Sequence, residues 1–304
     1  MTVVDTDHDC SASPQYQQWL GYSFVGASII ALVILFWMPL TLSLQGQVLL
    51  LLIPITLLGL PHGAMDAPIA AASGLCRTPA RAVLFHVGYL GLAGLVVAAW
   101  IAAPVLALAA FLLISAWHFG GDWDTDDQII PRLAAGCALL SMPSILHADD
   151  VMALFVMLSG PQATGIVSVM PPLGALSIAV LVRWYWLHRA GRTLSVLECA
   201  AALIPGLVLP PLWFFALYFC WLHSPRHLIA HWPQVRARLS RQTAILVLSA
   251  YTAGTVMVAV AASGLIESVP IDGTAPLVRL LFIGLAALTV PHMALIFYLH
   301  WKKP

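Results

Sequence analysis

Residues 211–232 read Pro-Leu-Trp-Phe-Phe-Ala-Leu-Tyr-Phe-Cys-Trp-Leu-His-Ser-Pro-Arg-His-Leu-Ile-Ala-His-Trp. An aromatic and aliphatic run leads directly into His223, His227 and His231, spaced four apart. On a helix that spacing puts the imidazoles on one face, where His223 and His227 can grip a single metal ion. Polar groups set beside Phe214, Phe215, Leu217, Phe219 and Leu222 persist only when hydrogen-bonded or coordinated, so an ionisable residue inside such a segment is a functional signal. His231 stands beside Trp232 and Pro233, where the helix should reach the headgroups, and reads as a snorkelling interfacial residue.

The chain around this stretch is of the same kind. Of its 304 residues 61% are hydrophobic and 9% charged, with a mean hydropathy of +0.93, whereas soluble domains carry about 25% charged residues. These values imply an all-α, polytopic membrane protein. Thirteen basic residues balance thirteen acidic ones, so no basic surface points to nucleic acid. The five cysteines lie apart without a CxxC, which excludes a zinc ribbon and a disulfide framework. Residues 1–20 contain Asp5, Asp7 and Asp9 and no basic region of a signal peptide, and read as a short disordered lead-in to a single catalytic domain over 21–304.

A membrane-spanning helix needs roughly 20 apolar residues. Ten segments qualify, at about 22–38, 47–72, 82–103, 105–120, 132–147, 172–187, 195–210, 211–231, 242–263 and 277–299, with 149–160 as a short interfacial helix. Pro39, Pro104, Pro131, Pro171-Pro172 and Pro210-Pro211 are read as punctuation between them. With both termini cytoplasmic, ten spans leave only Arg279 of all the basic residues on the outer side, the bias that the positive-inside rule requires. Counted from each outer helix end, His62, His118, His223, His227 and His292 lie about 12–16 residues in, or roughly 18–24 Å deep at 1.5 Å per residue. Residues on four helices at one depth are placed to converge.

The other histidines of this group sit in recognisable settings. Gly-Leu-Pro-His-Gly-Ala-Met-Asp (59–66) brackets His62 between Pro61 and Gly63; proline strips an amide donor there, so a local break aims His62 inward and frees backbone groups. Ser-Ala-Trp-His-Phe-Gly-Gly-Asp-Trp (115–123) repeats the spacing, with Asp122 four after His118 as Asp66 is four after His62. Each pair reads as a ligand with a carboxylate that orients it, or as a hydrogen-bonded kink and an interfacial cluster. Pro-His-Met (291–293) makes His292 either a further ligand or a donor behind the ligands. His8, His147, His188 and His300 have interfacial explanations, and His86 reads as a hydrogen-bonded core residue.

Neutral imidazoles without thiolate suit Fe, Cu, Zn or Ni. The sequence has no HExxH for a zinc protease, and buried carboxylates are too few for a carboxylate-bridged di-iron site. A histidine site walled by Trp, Phe and Met favours redox or oxygen chemistry on an apolar substrate.

The four motifs at 59–66, 115–123, 223–228 and 291–293 resemble those of the Brp/Blh family, bacterial membrane β-carotene 15,15'-dioxygenases associated with rhodopsins, over about residues 45–300. The resemblance implies Fe(II) and O2-dependent cleavage of β-carotene at the 15,15' double bond to two all-trans-retinal, in a multi-pass protein of the bacterial inner membrane. It implies iron ligands at His62, His118, His223 and His227. His292, Asp66 and Asp122 stand behind them or, for His292, among them. A carotene offers no hydrogen-bonding group, so the pocket selects by shape, with candidates Trp117, Phe119, Trp213, Phe214, Tyr218 and Trp221. Lysine occurs only at 302 and 303, so no buried amine can form a Schiff base and the chain is not itself an opsin. The alternatives are a transporter or accessory protein of pigment assembly with histidines relaying protons, and a haem-binding membrane oxidoreductase.

Overall fold

A computed structural model describes residues 14–38, 42–126, 128–188, 190–267 and 274–302, and these are helical throughout, with no strand among them. In chain order the helices are α1 (Pro14–Trp37), α2 (Leu44–Ala72), α3 (Pro79–Ala102), α4 (Pro104–Gly120), α5 (Ile129–Leu146), α6 (Ala148–Ser159), α7 (Pro161–Leu187), α8 (Thr193–Val208), α9 (211–236), α10 (Arg241–Glu267) and α11 (Ala275–Trp301).

Each of the ten expected segments falls on one of these helices, and 149–160 forms α6. Among the described residues seven helices are long and apolar enough to cross a membrane: α1, α2, α3, α5, α7, α10 and α11. Helices α4 and α8 are apolar but shorter, and α9 turns polar in its second half. The outer faces agree with an apolar surrounding: Leu84, Leu90 and Ile101 of α3 are 70%, 68% and 80% exposed, a continuous stripe that water would penalise.

Proline explains the boundaries unevenly. Ala103 before Pro104 leaves helical geometry (φ −148°, ψ 69°), and Leu209 and Pro210 are extended ahead of Pro211, because a residue preceding proline is pushed out of the α region. Pro171 and Pro172 do not punctuate. They lie inside α7, which begins about ten residues earlier than expected; a packed apolar helix tolerates the lost amides where neighbouring groups re-satisfy the carbonyls. Likewise α1 begins at Pro14, so the expected lead-in is helical from 14 onward. Its first thirteen residues, Pro39 and residues 268–273 of the loop expected at 264–276 lie outside the described residues.

The helix that carries His118 is seated on α5. A Cβ on Gly136 would stand 1.8 Å from the backbone oxygen of Ala116, so only glycine allows the two backbones to approach this closely. Arg132 of α5 closes the same contact from the other end, with Nε donating to the Trp117 carbonyl at 3.1 Å and the guanidinium 4.2 Å above the Trp117 ring. On the opposite flank Arg279 of α11 donates to the Met157 carbonyl at the end of α6 at 2.7 Å, satisfying one of the acceptors a helix terminus leaves open.

Gly136→Val should therefore lower thermal stability by about 1–3 kcal/mol or prevent folding, the cost of overpacking a tight contact. Gly88→Ala, where a Cβ meets nothing within 4 Å, should leave it unchanged. Melting followed by size-exclusion fluorescence in detergent separates the two.

Candidate metal centre

Two helices are deformed at the same level. In α2 residues Ile55–Gly59 form a π-turn in which the Leu60 amide reaches back five residues to the Ile55 carbonyl. In α9 residues Phe219–His223 do the same, the Ser224 amide bonding to Phe219. Each wide turn ends two residues before a proline, Pro61 and Pro225, whose missing N–H would otherwise leave a carbonyl one turn back without its donor. The two defects also repair each other, since the Ser224 hydroxyl donates to the Leu58 carbonyl inside the other π-turn. They lie in contact, because Gly59 leaves room for Phe219, whose ring would be 2.6 Å from any Cβ there. The inward break expected around Pro61 is present, with a counterpart in α9 that carries His223 and His227.

The interlock gathers histidines from four helices. From the His62 ring the centroids of His227, His292, His223 and His118 lie at 4.2, 4.6, 5.0 and 6.1 Å. His118 is 4.6 Å from His223 and 5.3 Å from His292, and His227 is 4.8 Å from His292. The five that sequence counting placed at one depth meet at one centre. His62, His223 and His292 are buried, while His118 and His227 are partly exposed.

Both expected carboxylates are there, but they orient different imidazoles from those four residues away. Asp122 accepts from His223 Nδ1 at 2.8 Å, and Asp66 accepts from His292 Nδ1 at 2.7 Å. A short aspartate side chain stays near its own helix, whereas an imidazole from a facing helix crosses the gap to meet it. Each carboxylate also holds a tyrosine: Tyr218 donates to Asp122 at 2.5 Å and Tyr89 to Asp66 at 2.8 Å. Arg226 secures the end of α4 by donating to the Asp122 carbonyl at 2.6 Å and to Glu198 at 2.8 Å. Tyr89 escaped the sequence reading. Its signal was a lone hydroxyl within the apolar run of α3.

With the Nδ1 positions of His223 and His292 occupied, their other nitrogens face the cluster. His223 Nε2, His292 Nε2, His227 Nε2 and His62 Nδ1 are all buried without a hydrogen-bond partner, a condition that costs stability unless something coordinates them. The donor atoms of His62, His118 and His223 lie within 4.8 Å of one another, as do those of His62, His227 and His292. Metal–imidazole bonds of about 2.0–2.1 Å set ligand atoms at most about 4.2 Å apart, so a small inward adjustment of these side chains fits them to a metal ion. The donor set is neutral nitrogen with no thiolate, which matches iron, copper, zinc or nickel.

The remaining residues distribute as follows. Phe119 packs 4.8 Å from His223 and meets Tyr218 edge to face, with Phe214 stacked on Tyr218. Trp213 is half-buried against the main core. Trp117 carries the Arg132 guanidinium over its ring, and Trp221 is exposed, its indole donating to Ser23 at 3.3 Å. His231 sits one turn beyond His227, 4.1 Å away, with Nδ1 3.1 Å from the His227 carbonyl. His86 lies elsewhere, bonded to the Ala82 carbonyl and the Tyr251 hydroxyl, both at 2.7 Å. A polar cavity of about 280 Å³ abuts Asp122, Glu198, Arg226 and Arg192; its lining suits water and ions, not hydrocarbon.

Replacing Asp122 by Asn should weaken metal binding about 10–100-fold, the usual cost of losing a carboxylate behind a histidine ligand. Chelator competition on the purified protein measures it.

Residues 53–300 match a family model described as beta-carotene 15,15'-dioxygenase. A protein of that same description from uncultured marine bacterium 66A03 is 30% identical over 249 residues, covering 80% of this chain and 90% of the relative. No solved structure matches. The histidine motifs at 59–66, 115–123, 223–228 and 291–293 all lie inside the matched region, and the chain belongs to the beta-carotene 15,15'-dioxygenase family of carotenoid-cleaving enzymes.

Proposed function

We propose that the chain cleaves β-carotene at its central 15,15' double bond, with one O2 consumed and two all-trans-retinal released, at a non-haem Fe(II) site whose ligands include His62, His118, His223 and His227. The observation that carries this reading is the set of inward, unpartnered imidazole nitrogens at the meeting point of α2, α4, α9 and α11. When bound, ferrous iron supplies the activation of O2 that an unassisted polyene lacks.

The rest is done by the chain. Asp122 accepts a hydrogen bond from His223 Nδ1–H, which keeps the proton on Nδ1 and leaves Nε2 bare toward the centre, the tautomer a ligand requires. Tyr218 holds the Asp122 carboxylate and Arg226 holds the Asp122 backbone carbonyl, so both ends of the residue are anchored. Phe119, Phe214 and Tyr218 form an apolar wall beside His223. That wall excludes water and binds a hydrocarbon by shape. The partly exposed edges of His118 and His227 mark the side from which the polyene approaches the centre. Trp117, Trp213 and Trp221 belong to the second rank of pocket candidates, with Trp221 facing outward.

We further propose that all ten sequence segments span the bilayer, with both termini cytoplasmic and the protein in the bacterial inner membrane. Retinal is released to a separate retinal-binding protein such as a rhodopsin, since no lysine lies in the described core. The cluster argues against the haem reading. Four imidazole rings within about 4–6 Å of His62 leave no space for a porphyrin between opposed axial ligands.

In carotene-producing cells supplied with iron and oxygen, the wild-type chain should bleach the orange colour and accumulate retinal on chromatography. His223→Ala should retain β-carotene, with product reduced at least about 100-fold, on the order of the effect of a mispositioned catalytic group. Persistent colour with well-expressed wild type, or apocarotenoids of unequal length in place of retinal, would contradict the reading.

A further inference from the structure

Tyr89, Asp66 and His292 form a chain of contacts that duplicates Tyr218, Asp122 and His223. In both, a tyrosine hydroxyl donates to an aspartate, at 2.8 and 2.5 Å, Asp66 being buried and Asp122 nearly so. In both, that aspartate accepts from Nδ1 of a histidine on another helix, at 2.7 and 2.8 Å. In both, the opposite ring nitrogen, Nε2, is buried and has no partner. The two histidines are 2% and 3% exposed. His292 is thus prepared as His223 is, on a helix that reaches the centre from the other side.

We infer that His292 is itself a direct metal ligand, so that the centre has five histidines, and that Asp66 and Tyr89 are its positioning residues. This rests on the metal reading given above. A role behind the ligands would have His292 donating to a ligand or accepting from one. Its Nδ1 instead points away to Asp66, and no neighbouring imidazole bonds to Nε2, although its ring is 4.6 Å from His62, 4.8 Å from His227 and 5.3 Å from His118. The His292 donor atom lies within 4.8 Å of those of His62 and His227. Coordination is the role that uses the free nitrogen, the tautomer set by Asp66 and the placement together. It also accounts for a buried carboxylate in α2 that neither His62 nor any basic side chain among the described bonds requires.

The test uses the full-length chain in lipid nanodiscs, stripped of metal and titrated with Co(II), whose visible bands report coordination number. Wild type should bind Co(II) with the weak bands of five- or six-coordination. His292→Ala should bind more weakly, with bands intensified toward a lower coordination number, and added imidazole should restore the wild-type spectrum. Asp66→Asn keeps the side-chain volume and serves where His292→Ala does not fold; it should weaken Co(II) binding about 10–100-fold, with Tyr89→Phe producing a smaller loss. A His292→Ala protein that is folded and has wild-type affinity and spectrum overturns the assignment of His292 and leaves the four-histidine reading intact. So does an Asp66→Asn protein of wild-type affinity. A folded wild-type chain that binds neither Co(II) nor iron overturns both.

Discussion

An ionised carboxylate and a bare imidazole nitrogen are each costly in an apolar interior, and the fold meets both costs with one bond. Asp122 and Asp66 are stabilised by the N–H of a histidine and the O–H of a tyrosine, so neither charge is left without donors. The same bond settles which nitrogen of the histidine carries the proton. It drives the lone pair of the other toward the shared centre. Five helices are tied in the process: Asp122, just after α4, is joined to α9 through His223 and Tyr218, and Asp66 of α2 is joined to α3 through Tyr89 and to α11 through His292.

Backbone hydrogen bonding imposes a second condition on the same place. A helix in an apolar medium cannot leave carbonyls unbonded, yet Pro61 and Pro225 each withdraw an amide next to a histidine. The π-turns at 55–59 and 219–223 absorb the defect by widening the helix, and Ser224 returns a donor to Leu58 across the interface. Widening rotates the following residues relative to the preceding ones. His62 on one side and His223 with His227 on the other thereby face each other instead of the lipid side.

Outside the centre the structure separates an apolar perimeter from a polar end. The exposed stripe of α3 and the long apolar helices suit hydrocarbon, whereas Arg226, Glu198, Arg192 and Asp124 concentrate near Asp122. Arg226 joins the two regions. It grows from the helix of His223 and His227 and holds the Asp122 carbonyl in the loop after His118 and the Glu198 carboxylate of α8.

The sequence by itself determined the helical class and the positions of most helices, and it pointed to His62, His118, His223, His227 and His292 as one group, because apolar run length and a constant rise per residue are local properties. It also located the break at Pro61, since the loss of an amide is written in the residue. Partners across helices were decided only by tertiary structure. Spacing of four suggested that Asp66 serves His62 and Asp122 serves His118, but helix packing directs those carboxylates to His292 and His223. Tyr89 had no local signal beyond its hydroxyl, and Pro171-Pro172, which looks like a terminus in sequence, is carried through α7 by its neighbours. Periodicity says which face a residue occupies. What that face meets depends on how the helices pack, and the gap at Gly136, the contact of Gly59 with Phe219 and the crossing of two π-turns fix it.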